Sequence, residues 1–221
     1  MSDETEVPPE LRTLANDPLN ADPSIEEYFG DSYARVRAFA ELLADQGVLR
    51  GLIGPRELTR VWERHILNSA AVVPFLGKGT IVDIGSGAGL PGLVIAAMLP
   101  DRPVVLVEPM ERRTTWLFHA AEQCGIDNVT VLRGRAEEVR ESVEADVITA
   151  RAVASIDKLV KWCLPLLSPT GSMALLKGRS APDELDRGKY VLRRAGLTGA
   201  VHEAPTLAGL EPTTVVTLSR S

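Results

Sequence analysis

The residues with the clearest chemical potential lie in the run Ile81-Val82-Asp83-Ile84-Gly85-Ser86-Gly87-Ala88-Gly89-Leu90-Pro91-Gly92. An apolar β-branched stretch feeds a glycine cluster, and Pro91 suits the start of a following helix. Glycine tolerates the tight turn such a segment needs and lets a ligand approach the backbone where a Cβ would collide. The loop is therefore expected to cradle a nucleoside-bearing cofactor. Gly87, Gly89 and Gly92 also fit the dinucleotide spacing GxGxxG, so the loop alone does not choose among such cofactors. Glu108 ends a second apolar run about 20 residues further on, where a carboxylate accepts hydrogen bonds from ribose hydroxyls.

Positioning those groups requires a sheet. From Thr80 onward, short β-branched runs alternate with helical stretches, the pattern of a parallel sheet with crossover helices. Strands are expected near 80–84, 103–108, 128–133, 145–150 and 172–177, with helices at 111–124, 155–167 and 183–195. Two last strands, near 197–203 and 212–219, are joined too tightly for a crossover and should pair antiparallel. The expected fold class is thus α/β, a seven-stranded Rossmann-like sheet over residues 77–221.

Ahead of it, residues 23–76 read as an N-terminal helical cap. Ser24 to Glu27 has capping-box spacing, Val36, Phe39 and Leu43 recur at helical intervals, Gly30 is placed to split that helix, and Gly47 offers a left-handed stop. Gly54-Pro55 opens a second helix with Leu58, Val61, Trp62 and Ile66 on one face. Residues 1–22 show no hydrophobic periodicity and are expected to form an acidic, disordered tail. Residues 1–31 hold nine acids and one base, a net of −8 within a chain of net −6, so residues 32–221 carry +2. The acidic start masks a mildly basic body, which keeps nucleic acid among the admissible partners. No apolar run reaches the roughly 18–20 residues of a membrane span, and residues 1–18 lack signal-peptide character, so a cytoplasmic location is expected. Cys124 and Cys163 are the only cysteines, expected as buried free thiols. With three scattered histidines they form no metal pattern.

Asp83 precedes the first glycine as in the DxGxGxG pattern of methyltransferases, where the carboxylate can help hold the cationic amino-acid end of S-adenosylmethionine. The pyrophosphate of NAD would be repelled by that charge. Beyond this loop, Trp62-Glu63-Arg64-His65-Ile66-Leu67-Asn68-Ser69, the long IVDIGSGAGLPG and the later ITARAVAS occur in the order found in the ribosomal RNA small-subunit methyltransferase G family. The chain resembles that family, also called glucose-inhibited division protein B, from about residue 35 to the end, including Trp162-Cys163 and Leu175 to Gly178. The resemblance implies a class I S-adenosylmethionine-dependent methyltransferase. Its partner would be 16S rRNA or the small ribosomal subunit, and the methyl would go to ring nitrogen 7 of one guanine in the decoding-region loop. It also implies cofactor contacts at Gly85, Leu90, Ala136, Glu137 and Arg151, joining Asp83, Gly87 and Glu108. Residues 50–55 depart from the family's usual Tyr-Asn-Leu-Thr stretch.

Ring nitrogen 7 of guanine has an in-plane lone pair and no proton, so no catalytic base is assigned. Candidate RNA-gripping residues are Arg64, His65, Arg112, Arg113, Arg135 and Lys177, with Arg133, Arg151 and Arg179 on the same strand-end edge. His65 could equally hydrogen-bond within the cap. His119 and His202 read as structural, and Trp116-Leu117-Phe118 as core. A monomer is expected. Methylation of another RNA, a protein or a small molecule would use the same cofactor residues, and an NAD-dependent oxidoreductase the same glycines.

Overall fold

The computed structural model describes residues 8, 10, 12–207 and 209–220. Its core is a seven-stranded sheet of β1 (Ile81–Ile84), β2 (Val104–Glu108), β3 (Val129–Arg133), β4 (Ala145–Arg151), β5 (Leu167–Lys177), β6 (Leu197–Ala204) and β7 (Thr213–Arg220). The order across the sheet is β3-β2-β1-β4-β5-β7-β6. The first five strands run parallel, and β7 lies antiparallel between β5 and β6. The direction of winding reverses between β1 and β4, which opens a crevice at their carboxyl ends.

β1 and β2 are apolar apart from their acids and are buried along their whole length, as strands covered on both faces must be. One face packs on the N-terminal helices α1 (Pro23–Phe29), α2 (Tyr33–Gln46) and α3 (Asn68–Ala70), with α4 (Gly92–Met98) and α5 (Glu111–Gln123). The other face packs on α6 (Ile156–Cys163) and α7 (Ala181–Arg194) through Ile156, Leu159, Val160, Cys163 and Leu192. Both cysteines are buried and free, and burial pushes their thiols up to about 11 and about 12.

The N-terminal elements depart from expectation in four ways. Residues 12–22 are not a loose tail, whereas residues 1–7 lie outside the described residues. Leu14 is buried, and the Asp17 carboxylate accepts from the Trp62 amide at 2.8 Å and from the Leu19 amide at 3.0 Å. Polar capping, invisible to a search for apolar periodicity, ties this segment to the cap. α1 is capped by Asp22, which accepts from the Ser24 amide, so no Ser24-to-Glu27 box forms. Gly47 adopts right-handed φ of −61°, and the left-handed residue is Gly51. Gly47 is required for space, since an added Cβ would meet the Leu43 carbonyl and the Ile53 side chain. Lastly, the second cap helix is a 3-10 turn (Pro55–Arg60), a π-helical turn (Trp62–Leu67) and then α3.

Candidate active site

A cleft of about 1450 Å³ opens where β1 to β4 end. Its floor is the glycine loop. Gly85 has φ of +70°, and a Cβ there would stand 2.7 Å from Val153 Cγ2, so the position needs glycine for both conformation and room. Ile84, Gly85 to Ala88 and Leu90 line the cleft. Glu108, ending β2, turns its buried carboxylate beneath the loop: Oε2 accepts from the Gly87 amide at 2.9 Å and Oε1 from the Met110 amide at 3.0 Å. Two backbone donors fix the carboxylate without exhausting its lone pairs. Gly134 to Glu137, following β3, form the opposing wall.

Asp83 does not line this cleft. Its side chain is fully buried, with Oδ2 accepting from the Gly92 amide at 3.1 Å. Gly92 must lack a Cβ, which would lie 2.2 Å from Leu106 Cδ2 and 2.6 Å from Asp83 Oδ2. Asp83 therefore clamps the loop to α4 through Oδ2, while its Oδ1 is buried and has no hydrogen-bond partner among the described residues. Burial pushes its carboxyl up to about 7, opposed by the Gly92 amide and the Arg151 charge.

Arg151, ending β4, joins the sheet to the cap. Its guanidinium donates to the Arg64 carbonyl at 3.0 Å and to Asn68 Oδ1 at 3.3 Å, and Nη2 stands 3.4 Å from His65 Nδ1. Asn68 Nδ2 in turn donates to Thr213 Oγ1 at 3.1 Å, reaching the first residue of β7. On its far side, His65 Nε2 lies 3.3 Å from Glu57 Oε2, which also accepts from the Gly54 amide at 3.1 Å. Burial, reinforced by Arg151, pulls His65 down to about 4, so its ring is neutral at pH 7. Because the Arg151 guanidinium can only donate, Nδ1 is the accepting nitrogen and the ring proton sits on Nε2, facing Glu57. Burial likewise pulls Arg151 down to about 10, with the Asp83 and Glu57 charges opposing.

The basic candidates divide. Arg64 and Arg135 are exposed and line the mouth of the cleft, and Arg179 lines it while pairing with Glu211 at 3.1 Å. Arg113 lines the cleft beside the glycine loop, half-buried, 3.8 Å from Glu108. Arg112 is exposed but outside the cleft lining, as is Arg133, which pairs with Glu111. Lys177 and His65 are both turned into the protein. Lys177 is 9% exposed, donates to the Ala154 carbonyl and pairs with Glu184 at 2.9 Å, so it fastens the segment after β4 to α7. His65 is 6% exposed and engaged within the cap. Trp116 is fully buried and donates to the Ala88 carbonyl, bracing the glycine loop, whereas Phe118 is exposed and outside the core. His202 pairs with Thr217, and His119 sits beside Trp116.

Glu57 and the Gly209-to-Thr213 segment carry no sequence motif, and Asn68 stands out only as part of the Trp62-to-Ser69 run, yet all line the cleft. A signal existed for Glu57, three residues after Gly54 at a helix start. None existed for the 209–213 segment, which tertiary folding alone brings across.

A model of the family described as GidB, rRNA small subunit methyltransferase G, matches residues 32–199. The chain belongs to this family of methyltransferases. Relatives called ribosomal RNA small subunit methyltransferase G include that of Thermobifida fusca, 52% identical over 76% of this chain and 71% of its own. That of Salinispora arenicola is 48% identical over 96% of this chain and 88% of its own. Solved structures share the fold at low identity. A precorrin-6y C5,15-methyltransferase from Geobacter metallireducens matches at TM-score 0.55 and 16% identity, over 77% of this chain and 90% of its own. TYW2 of M. jannaschii, solved in complex with AdoMet, matches at 0.52 and 14%, over 70% and 74%. Family membership thus agrees with the ordered motifs around Trp62, Asp83 and Arg151, and among the described residues no helix is long and apolar enough to cross a membrane.

Proposed function

We propose that the protein transfers the methyl group of S-adenosylmethionine to ring nitrogen 7 of a guanine in the decoding-region loop of 16S rRNA. The observation that carries this reading is a single cleft with two unlike halves. A glycine loop with a fixed carboxylate lies on one side, and a cap edged by arginines on the other. The chain's residues fit the cofactor. Glu108 retains acceptor capacity for ribose hydroxyls, and the backbone at Gly85 to Gly87 is bare enough for close approach. Ala136 and Glu137 are suited to the adenine edge, and Leu90 to its apolar surroundings.

When bound, S-adenosylmethionine supplies a methyl carbon made electrophilic by its sulfonium. Guanine nitrogen 7 carries an in-plane lone pair and no proton, so a methyl supplied there would require no base from the protein, and Gly85 to Gly87 and Glu108 would serve to hold the donor in place. The protein's task is then mainly placement, and holding reacting atoms roughly 3–3.5 Å apart in line accounts for most of the acceleration. Arg64 and Arg135 at the cleft mouth are free to meet RNA phosphates, a sequence-independent grip that weakens with salt.

The test is incubation with labelled S-adenosylmethionine and small ribosomal subunits from cells lacking the protein, followed by mapping of the labelled nucleotide. Label at nitrogen 7 of a single guanine is the expected result. Label on ribosomal protein, or none, would overturn the reading.

A further inference from the structure

The cleft is larger than one cofactor requires, since single-ligand pockets run to roughly 300–1,000 Å³. Its second half is bounded by the π-helical turn, the 3-10 turn before it and the Gly209-to-Thr213 segment. Three carboxylates face this half: Glu57, Glu63 and Glu211. They are not equivalent. Glu63 is held by Arg60 at 3.0 Å, and Glu211 by Arg179 on the open surface with 80% of its side chain exposed. Glu57 is partly sheltered and set by the protein: one oxygen, Oε2, faces both the Gly54 amide and the His65 ring, and among the described residues no arginine side chain pairs with it at contact distance. His65 is itself more than nine-tenths buried and lines the cleft, oriented from behind by Arg151. A chain of contacts therefore runs from the end of β4 through a neutral imidazole to one carboxylate, whose second oxygen remains available.

We infer that Glu57 is the residue that recognises the target base, its carboxylate accepting from N1–H and the 2-amino group on the Watson–Crick edge of guanine. This inference rests on the proposed methyl transfer to guanine. Guanine presents two adjacent donors on that edge, a pairing adenine, cytosine and uracil lack, and a carboxylate accepts both. The same edge lies across the base from nitrogen 7, so a base held there leaves its reactive edge turned toward the cofactor half. The carboxylate also favours the charge that appears on the base. As nitrogen 7 gains the methyl, the ring becomes cationic and its N1–H a stronger donor, so the contact is stronger in the transition state than in the ground state. His65 is a positioning residue in this arrangement: it sets Glu57 without touching the base.

The experiment compares small subunits reconstituted with 16S rRNA carrying guanosine or inosine at the position mapped above, with native protein and with Glu57→Gln. Inosine keeps nitrogen 7 and N1–H and lacks only the 2-amino group. Glutamine keeps an oxygen for the Gly54 amide but presents an N–H₂ that cannot accept from the base. Native protein is expected to favour guanosine over inosine in kcat/KM by about 10- to 100-fold, the range for one hydrogen bond to a charged group. In Glu57→Gln that preference should shrink to about 1, through loss of activity on guanosine, with S-adenosylhomocysteine affinity and melting temperature unchanged. A preference that persists in Glu57→Gln, or a native protein indifferent to inosine, overturns the inference while leaving the methyl transfer intact. A native protein that methylates neither RNA overturns the function on which it rests.

Discussion

In the half of the cleft under the glycine loop, the lining groups lie within a few residues of a strand end: Gly85 after β1, Glu108 closing β2, Ala136 and Glu137 after β3. They are held by nearby backbone amides, as at Gly87 and Met110 for Glu108. In the half under the cap, the groups come from distant segments and are held by side chains: Arg151 to Asn68, Asn68 to Thr213, His65 to Glu57. The first half is a product of local backbone shape, the second of tertiary docking. The two should therefore fail in different ways when damaged.

The largest effect is expected from Gly85→Val. A valine there must adopt a left-handed φ and its Cβ must displace Val153, so the loop gives way. S-adenosylhomocysteine affinity measured by calorimetry should fall more than about 100-fold, with the melting temperature shifted little, because the loss is confined to one turn. A large loss of stability would instead show that the loop is coupled to the whole fold, and would break the distinction.

Arg151→Met should behave the opposite way. It leaves Asp83 without its nearby cation and strips the Arg64 carbonyl, Asn68 and His65 of a shared donor. Removing one partner from such a buried set costs about 3–5 kcal/mol. In a chain of this size that is a fall in melting temperature of about 10 °C by scanning calorimetry. The cap should also loosen, visible as faster amide exchange over residues 62–70.

These two sites also mark how far sequence reading reaches. All seven strands were legible within a residue or two, apart from the start of β5, because the β-branched runs and glycine punctuation are local signals. So was the loop. Asp83 was legible as important, but its spacing before Gly85 is compatible with facing either a ligand or the Gly92 amide, and only packing puts its Oδ2 on that amide. Lys177 misled for a related reason: its place at a strand end predicts a rim cation, but Glu184, four residues into α7, turns it inward. The docking of residues 12–22 rests on Asp17 and Asn20 reaching Trp62, 42–45 residues away, and no window of sequence contains that contact.

The two halves carry opposite proton linkage. Folding raises Asp83 from an ordinary 3.8 to about 7, so between about 4 and 7 the folded chain holds a proton the unfolded chain has released, and this contribution to stability falls as pH rises through that window. Folding lowers His65 from 6.5 to about 4, so the unfolded chain holds the extra proton in between, and stability rises with pH from about 4 to 6.5. In the native chain the two slopes oppose. Asp83→Asn should uncover a rising slope of about 1.4 kcal/mol per pH unit relative to native protein between about 4 and 6.5, and His65→Gln a falling one, both read from urea unfolding at stepped pH. Variants whose profiles parallel the native one would mean that neither group is as buried in solution as in this fold.

The smallest effects separate two arginines that look alike in sequence. Arg64 projects from the cap at the cleft mouth, exposed and, among the described residues, engaged through its backbone carbonyl alone, whereas Arg113 sits half-buried 3.8 Å from Glu108. An exposed cation contributes to RNA binding through released counterions, so Arg64→Ala should reduce the slope of log affinity against log salt by about 0.7–0.9 and weaken binding a few-fold at low salt. Its S-adenosylhomocysteine affinity should not move. Arg113→Ala should do the reverse, shifting cofactor affinity a few-fold through the carboxylate beside it while leaving the salt slope intact. If both variants changed the salt slope equally, the RNA backbone would have to cross the glycine loop as well as the cap, and the boundary drawn between the two halves would have to move to the far side of Glu108.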